Sequence, residues 1–252
     1  MRWTERQRAM LGAMGIPLWA PANPVSPNEL SESQVAEARS PRQANAVHEA
    51  SSALSIVSNP SDIATLDWGA LRERVASCRA CRLCEGRTQT VFGVGHPRAH
   101  CMIVGEAPGE NEDLQGEPFV GAAGQLLDRM LPAIGLRRGD ASPEQQVYIA
   151  NTLKCRPPRN RNPEPDELAR CSAYLHRQIE LVQPRVLLAM GRFAVQTLLD
   201  SSEPIGRLRG RVHRWRNVPV VVTYHPAYLL RNPADKARAW ADLCLAATQL
   251  SD

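Results

Sequence analysis

An α/β fold built on a mainly parallel sheet is predicted by two features of the chain. Short apolar runs alternate with segments whose apolar residues recur at helical spacing, and three of the apolar runs stop abruptly at polar residues. Strands covered by helices on both faces read as near-continuous apolar runs, which is what these are. With 252 residues, 43% of them apolar, the chain is long enough for one such domain and a tail.

The elements follow in order. Trp68, Leu71 and Val75 mark one face of a helix. VFGVG (91–95) and CMIVG (101–105) read as strands, and Leu126, Leu127, Met130, Leu131 and Ile134 give a helix. VYIAN (147–151) is a strand. Pro165 stands at a helix start with Asp166 and Glu167 in the first turn, and Leu168, Leu175, Ile179 and Val182 line its buried side. VLLAMG (186–191), the helix RFAVQTLL, a strand over Val212–Trp215, VPVVVTY (218–224) and a helix through Leu243 complete the pattern.

Ahead of this lies a different composition. Trp3, Met10, Leu11 and Met14 fall near helical spacing, which predicts a short amphipathic helix over residues 3–16, suited to docking on a partner protein. Residues 20–62 lack periodicity and read as a flexible linker. The expected division is a tail, 1–62, and a globular domain, 63–252. Residues 1–60 balance five basic against five acidic side chains, so the formal net charge of +4 sits on the globular part. No apolar stretch is long enough for a signal peptide or a membrane helix, and a cytoplasmic protein is expected. Seven cysteines in a reducing compartment then point to metal ligation or redox chemistry rather than disulfides.

In open α/β sheets the ligand crevice lies beyond the carboxyl ends of the strands. CMIV runs into GEAPGENED, VYIA into Asn151, and VVVTY into HPAYLLR, so Glu106, Asn151 and His225 are expected to converge. The glycines around Ala107 and Pro108 lack the spacing of a phosphate loop or a dinucleotide fingerprint, which excludes a nucleoside triphosphate there. They let backbone approach a flat ligand, while Glu106 can hold a water or face a cationic transition state. Glu112 and Asp113 read equally as solvated loop charges, and for Glu110 that reading is preferred. Two basic runs, KCRPPRNRNP (Lys154, Arg156, Arg159, Arg161) and RLRGRVHRWR (Arg207, Arg209, Arg211, Arg214, Arg216), border the crevice and suit phosphates. Acidic chemistry at the floor and basic contacts at the rim suit a nucleic acid whose reacting part is not the phosphate.

Cys78, Cys81 and Cys84 form C-x2-C-x2-C, and Cys155 and Cys171 follow. The first pair ends a helix and enters a loop, unlike a thioredoxin-type motif, so metal binding is favoured over redox exchange. Zinc and an iron-sulfur cluster both remain open on spacing, although Cys81 and Cys155 lie 74 positions apart, long for a compact zinc ribbon. Cys101 and Cys244 read as core fillers.

CRACRL, VFGVG, IVGEAPGENED, GEPFVGAAGQLL, YIANTLKCRPPRNRNP, ARCSAYLHRQIEL and YHPAYLLR together resemble the family 4 uracil-DNA glycosylases, over roughly Leu71 to Leu245 and in order. The resemblance implies a three-layer αβα sandwich around a four-stranded, mainly parallel sheet. It also implies a [4Fe-4S] cluster on Cys78, Cys81, Cys155 and Cys171, with Cys84 extra. The implied partner is uracil-containing DNA, single- or double-stranded, acted on by a monomer. Phe119 would stack on the extruded base, Asn151 read uracil N3–H and O4, and His225 donate to O2. Glu106 and the backbone at Ala107 would place the attacking water, and Glu112 crowd the C5 position. Relatives often carry Gly where Ala107 stands, and the general base stays open. Leu229 and Leu230 would wedge into the duplex, with Arg209 and Arg231 on phosphate. The rival from another class is a non-catalytic iron-sulfur DNA-binding module of the same fold.

Overall fold

The computed structural model describes residues 60–251. The helix expected over 3–16 and most of the linker lie outside these residues. The end of the expected linker differs, because Pro60–Ile63 already forms a helical turn, α1. In order there follow α2 (Trp68–Ala76), α3 (Leu83–Gly86), β1 (Val94–Gly95), β2 (Cys101–Gly105), α4 (Glu110–Gln115), α5 (Ala122–Met130) and β3 (Val147–Asn151). Then come α6 (Pro165–Val182), β4 (Val186–Met190), α7 (Arg192–Leu199), α8 (Ile205–Leu208), β5 (Val212–Trp215), β6 (Val218–Thr223), α9 (Pro226–Arg231) and α10 (Lys236–Ser251).

The sheet has six strands in the order β1-β3-β2-β4-β6-β5. The four inner strands, β3-β2-β4-β6, are parallel, while β1 and β5 close the edges antiparallel. The expected four strands are therefore the sheet's interior, and the two edge strands are additions to it. Every residue of β2, β3 and β4 is buried, which explains why these three read as unbroken apolar runs.

Alternate residues serve opposite faces. Ile103, Ile149, Leu188 and Val221 pack with residues of α5, α9 and α10. Met102, Tyr148, Leu187 and Val222 pack with residues of α6 and α7. Leu71 and Val75 of α2 form a satellite core with Phe92 and Tyr174.

Two local expectations are corrected. Of VFGVG only Val94 and Gly95 pair as strand, since Val91 N–H instead donates to Lys154 O (2.8 Å) and Gly93 and Gly95 take positive φ. The helix expected through Ile134 stops at Met130 and continues as a 3-10 turn over Leu131–Ile134, where Pro132 lacks the N–H an α-helix would use.

Asp242 of α10 is fully buried and paired with Arg209, whose Nη2 and Nε lie 2.8 and 3.0 Å from its two oxygens. Removing one member of a buried pair strands the other charge. Asp242→Ala should lower the unfolding free energy by roughly 3 kcal/mol, read as a shifted urea midpoint; an unchanged midpoint would contradict this account.

Candidate active site

Because the four inner strands run parallel, their carboxyl ends open on one edge, and the residues there line a single cavity of about 830 Å³. Glu106 and Ala107 follow β2, Asn151 ends β3, Gly191 and Arg192 follow β4, and Tyr224 and His225 follow β6. Glu112, Phe119 and Arg231 line the same cavity. Glu106, Asn151 and His225, far apart in sequence, are thus brought together at the edge where the crevice rule puts them.

The base of the cavity depends on Gly105, the last residue of β2 and the register partner of Asn151. A Cβ there would collide with Asn151 Oδ1 and stand 2.7 Å from the Phe119 ring. Asn151 is 2% exposed, and its Oδ1 has no hydrogen-bond partner among the described residues. A buried acceptor left unpaired costs about 1–3 kcal/mol, so this atom awaits a donor. Phe119 stacks on the His225 imidazole, with ring centres 5.2 Å apart and planes inclined by 25°.

Phe119 has φ of 57°, a left-handed conformation that a bulky residue adopts only under constraint. The constraint is visible. Arg138 donates to Pro118 O (2.6 Å) and Phe119 O (2.8 Å), and is itself held by Asp128. Glu112 accepts from Val120 N–H (2.9 Å), Gly121 N–H (3.1 Å) and Gly109 N–H (3.0 Å). Glu112 is therefore no solvated loop charge. Nor is Asp113, which is 3% exposed and accepts from Thr88 N–H. Glu110 does sit at the surface, 3.5 Å from Arg156.

His225 caps α9, and its Nδ1 accepts from Ala227 N–H at 3.2 Å. That bond makes Nδ1 the acceptor of the neutral ring and leaves Nε2–H as the donor. Burial, seconded by the Arg231 charge, pulls its pKa down to about 4, against an opposing pull from Glu112. Burial raises the pKa of Glu106, and Arg192 opposes the shift. The main chain at Glu106 is fixed because its carbonyl accepts from Leu153 N–H (3.1 Å) and from the Thr152 hydroxyl.

The rim differs from expectation. Leu229 is wholly buried in the core and is not available to a duplex, whereas Leu230, the next residue, is 44% exposed. Arg209 is spent on Asp242 and on Arg238 O rather than left free for phosphate. Lys154 is buried, and Arg161 forms a two-bond fork with Glu167 (2.6 and 2.9 Å). Arg159 and Arg231 are exposed. Charge runs along a sequence do not reveal which cations already have carboxylate partners. Arg192, Tyr224 and Tyr228 also line the cavity and were not anticipated as site residues.

A second, smaller pocket is lined by Cys78, Cys81, Cys84, Cys155 and Cys171, with Arg87, Leu153 and Lys154. Burial pushes the Cys155 thiol up to about 11 and the Cys171 thiol up to about 12. Arg87 Nη1 lies 3.0 Å from Cys155 Sγ, and Lys154 N–H donates to Cys171 Sγ at 3.3 Å. Among the described residues no three His, Cys, Asp or Glu converge on one ion position. A mononuclear site such as zinc needs that convergence, with donors about 2.0–2.3 Å from the metal. A cluster asks for one thiolate per iron, and the thiols lining this pocket, with N–H donors to sulfur, are residues of the type that would hold one.

Residues 92–245 match the model of the uracil DNA glycosylase superfamily. The type-4 uracil-DNA glycosylase of Archaeoglobus fulgidus is 48% identical over 63% of this chain and 81% of its own length. Its counterpart in Thermotoga maritima is 44% identical over 66% of this chain and 84% of the relative, and that of Pyrobaculum aerophilum is 40% identical over 71% and 93%. With sequence, sheet-edge cavity and thiol pocket agreeing, the chain belongs to the type-4 uracil-DNA glycosylase family.

Proposed function

We propose that the protein takes uracil swung out of DNA into the cavity and hydrolyses its N-glycosidic bond, releasing free uracil and leaving an abasic site. The observation that carries this reading is the unpartnered Asn151 Oδ1 beside the Phe119 ring. Uracil N3–H would donate to that oxygen and uracil O4 would accept from the amide nitrogen. Cytosine, with a bare N3 and a 4-amino group, presents the reverse pattern and is rejected. Phe119 offers an aromatic surface to the pyrimidine. Glu112, fixed by three backbone donors, forms a wall that cannot yield to the C5 methyl of thymine.

Bond cleavage puts negative charge on the departing base, chiefly at O2 and O4. His225 Nε2–H, neutral and aimed by the Ala227 bond, would donate to O2 as that charge grows. Glu106 and the backbone at Ala107 would orient water toward the sugar carbon, and a raised pKa makes the Glu106 carboxylate a better proton acceptor. Extrusion costs a few kcal/mol. Leu230 is the side chain exposed to fill the gap, with Arg231 beside it for phosphate.

A [4Fe-4S] cluster on Cys78, Cys81, Cys155 and Cys171 is part of the proposal, supported by their shared pocket. When bound, such a group ties together distant chain segments and carries negative charge. Cys84 lies in the same lining and is the spare thiol. We also propose that residues 63–252 act as a monomeric, cytoplasmic catalytic unit and that the preceding segment docks on a protein partner. The reading as a non-catalytic module is not favoured, because the relatives matched over most of their length are named as glycosylases.

The direct test is release of uracil from single- and double-stranded oligonucleotides by the purified protein. No release would end the proposal. Asn151→Asp should shift or abolish the preference for uracil; unaltered discrimination against cytosine would remove Asn151 from base reading. His225→Ala should lower kcat by about 10²–10³. As pH falls through about 4, His225 gains a proton at Nδ1 and loses the Ala227 bond. Its acid limb should therefore appear near pH 4, not at the 6.5 of a free imidazole, and the stability tied to its neutral burial should be full above 6.5 and decline as pH falls toward 4. A His225-dependent limb near 6.5 in the pH profile would contradict the assignment. Purified protein should be brown, and Cys171→Ser should bleach it; active, colourless wild-type protein would overturn the cluster.

A further inference from the structure

The chain that leaves β3 passes from Asn151 to Cys155 in four residues, and Lys154 lies between them. Its side chain turns back along the chain. Nζ donates to the main-chain carbonyl of Asn151 at 2.8 Å and to Gln178 Oε1 at 2.6 Å. Lys154 is 2% exposed and Gln178 is fully buried on α6. Gln178 is fixed in turn, its Nε2 donating to Phe92 O (2.8 Å) and lying 3.0 Å from the Tyr148 hydroxyl. At its other end, Lys154 N–H donates to Cys171 Sγ, and Lys154 O accepts from Val91 N–H.

The carbonyl of Asn151 is a place where the sheet stops helping. β1 pairs with β3 only at Tyr148 and Ile149, so no strand covers that side of Asn151. A buried carbonyl without a donor would move to find one, and the carboxamide three bonds away would move with it. Among the described residues no carboxylate is hydrogen-bonded to Lys154; the two acceptors are neutral. The sulfurs of Cys171 and Cys155 offset part of the cost of burying this ammonium, while its hydrogen bonds go to neutral groups and fix the chain at Asn151.

We propose that Lys154 is a positioning residue for Asn151, with Gln178 as its support. By fixing the Asn151 main chain it aims the unpartnered Oδ1 at uracil N3–H, and it ties the base-reading residue to the segment bearing Cys155. The inference rests on the base-reading role proposed above for Asn151.

A double-mutant cycle on the full-length, cluster-loaded protein tests it, with single-turnover kinetics on a uracil oligonucleotide and visible absorbance per protein as the second readout. Lys154→Met should lower kcat/KM by about tenfold, the worth of one charged hydrogen bond. In an Asn151→Ala background the same change should have less than about a twofold effect, with absorbance unchanged in both. A penalty that persists in full in the Asn151→Ala background would overturn the inference, as would wild-type kinetics for Lys154→Met or a rate loss matched by lost absorbance. If Lys154→Met does not fold, Gln178→Leu, which removes only the support, runs the same cycle with the same expected and contrary results. Wild-type turnover by Asn151→Ala alone would instead strike the role of Asn151 on which the inference stands, so the two failures are told apart by the single variant.

Discussion

The missing side chain at Gly105 is the constraint on which the rest of the site depends. β2 is flanked on both sides by parallel strands that also deliver site residues, β3 with Asn151 and β4 with Gly191. Its last residue must leave room for a carboxamide from one neighbour and an aromatic ring arriving from a loop. Any Cβ would collide with both. The contact between strand end, amide and ring is thus set by backbone packing in the buried middle of the sheet, and sites built on strands are held more precisely than sites on loops.

Phe119 brings the opposite problem, a bulky residue in a left-handed conformation on a loop. Strain of this kind costs on the order of 1–3 kcal/mol and persists only where surroundings over-determine it. Here Arg138 takes the carbonyls and Glu112 the N–H groups on either side. The acidic residues after β2 therefore have a largely architectural explanation. Glu112 and Asp113 serve as acceptors for backbone donors that the loop would otherwise bury unpaired, and Glu106 and Glu112 line the cavity.

The fold was legible in the sequence where burial is uniform. β2, β3 and β4 are buried at every residue, so their apolar runs had one reading, and the parallel arrangement followed from the helices between them. The convergence of Glu106, Asn151 and His225 was legible for the same reason, since parallel strands bring their ends to one edge. What was not legible depends on partners distant along the chain. Nothing local distinguishes Arg209, matched to Asp242, or Arg161, matched to Glu167, from a free surface cation. Arg138 lies outside the recognisable motifs and Gln178, though inside ARCSAYLHRQIEL, carries no local sign of its role; the importance of both appears only once Phe119 and Lys154 are seen beside them. Leu229 and Leu230 are adjacent and chemically identical; helix phase alone sends one inward and the other out.

That phase has a mechanical consequence. α9 is six residues long, begins at the imidazole that caps it and carries Leu230 near its other end, with Leu229 anchored in the core between them. With Leu229 pinned in the core and no break in the helix, the exposed leucine and the capping imidazole are held at a fixed spacing by six residues of backbone.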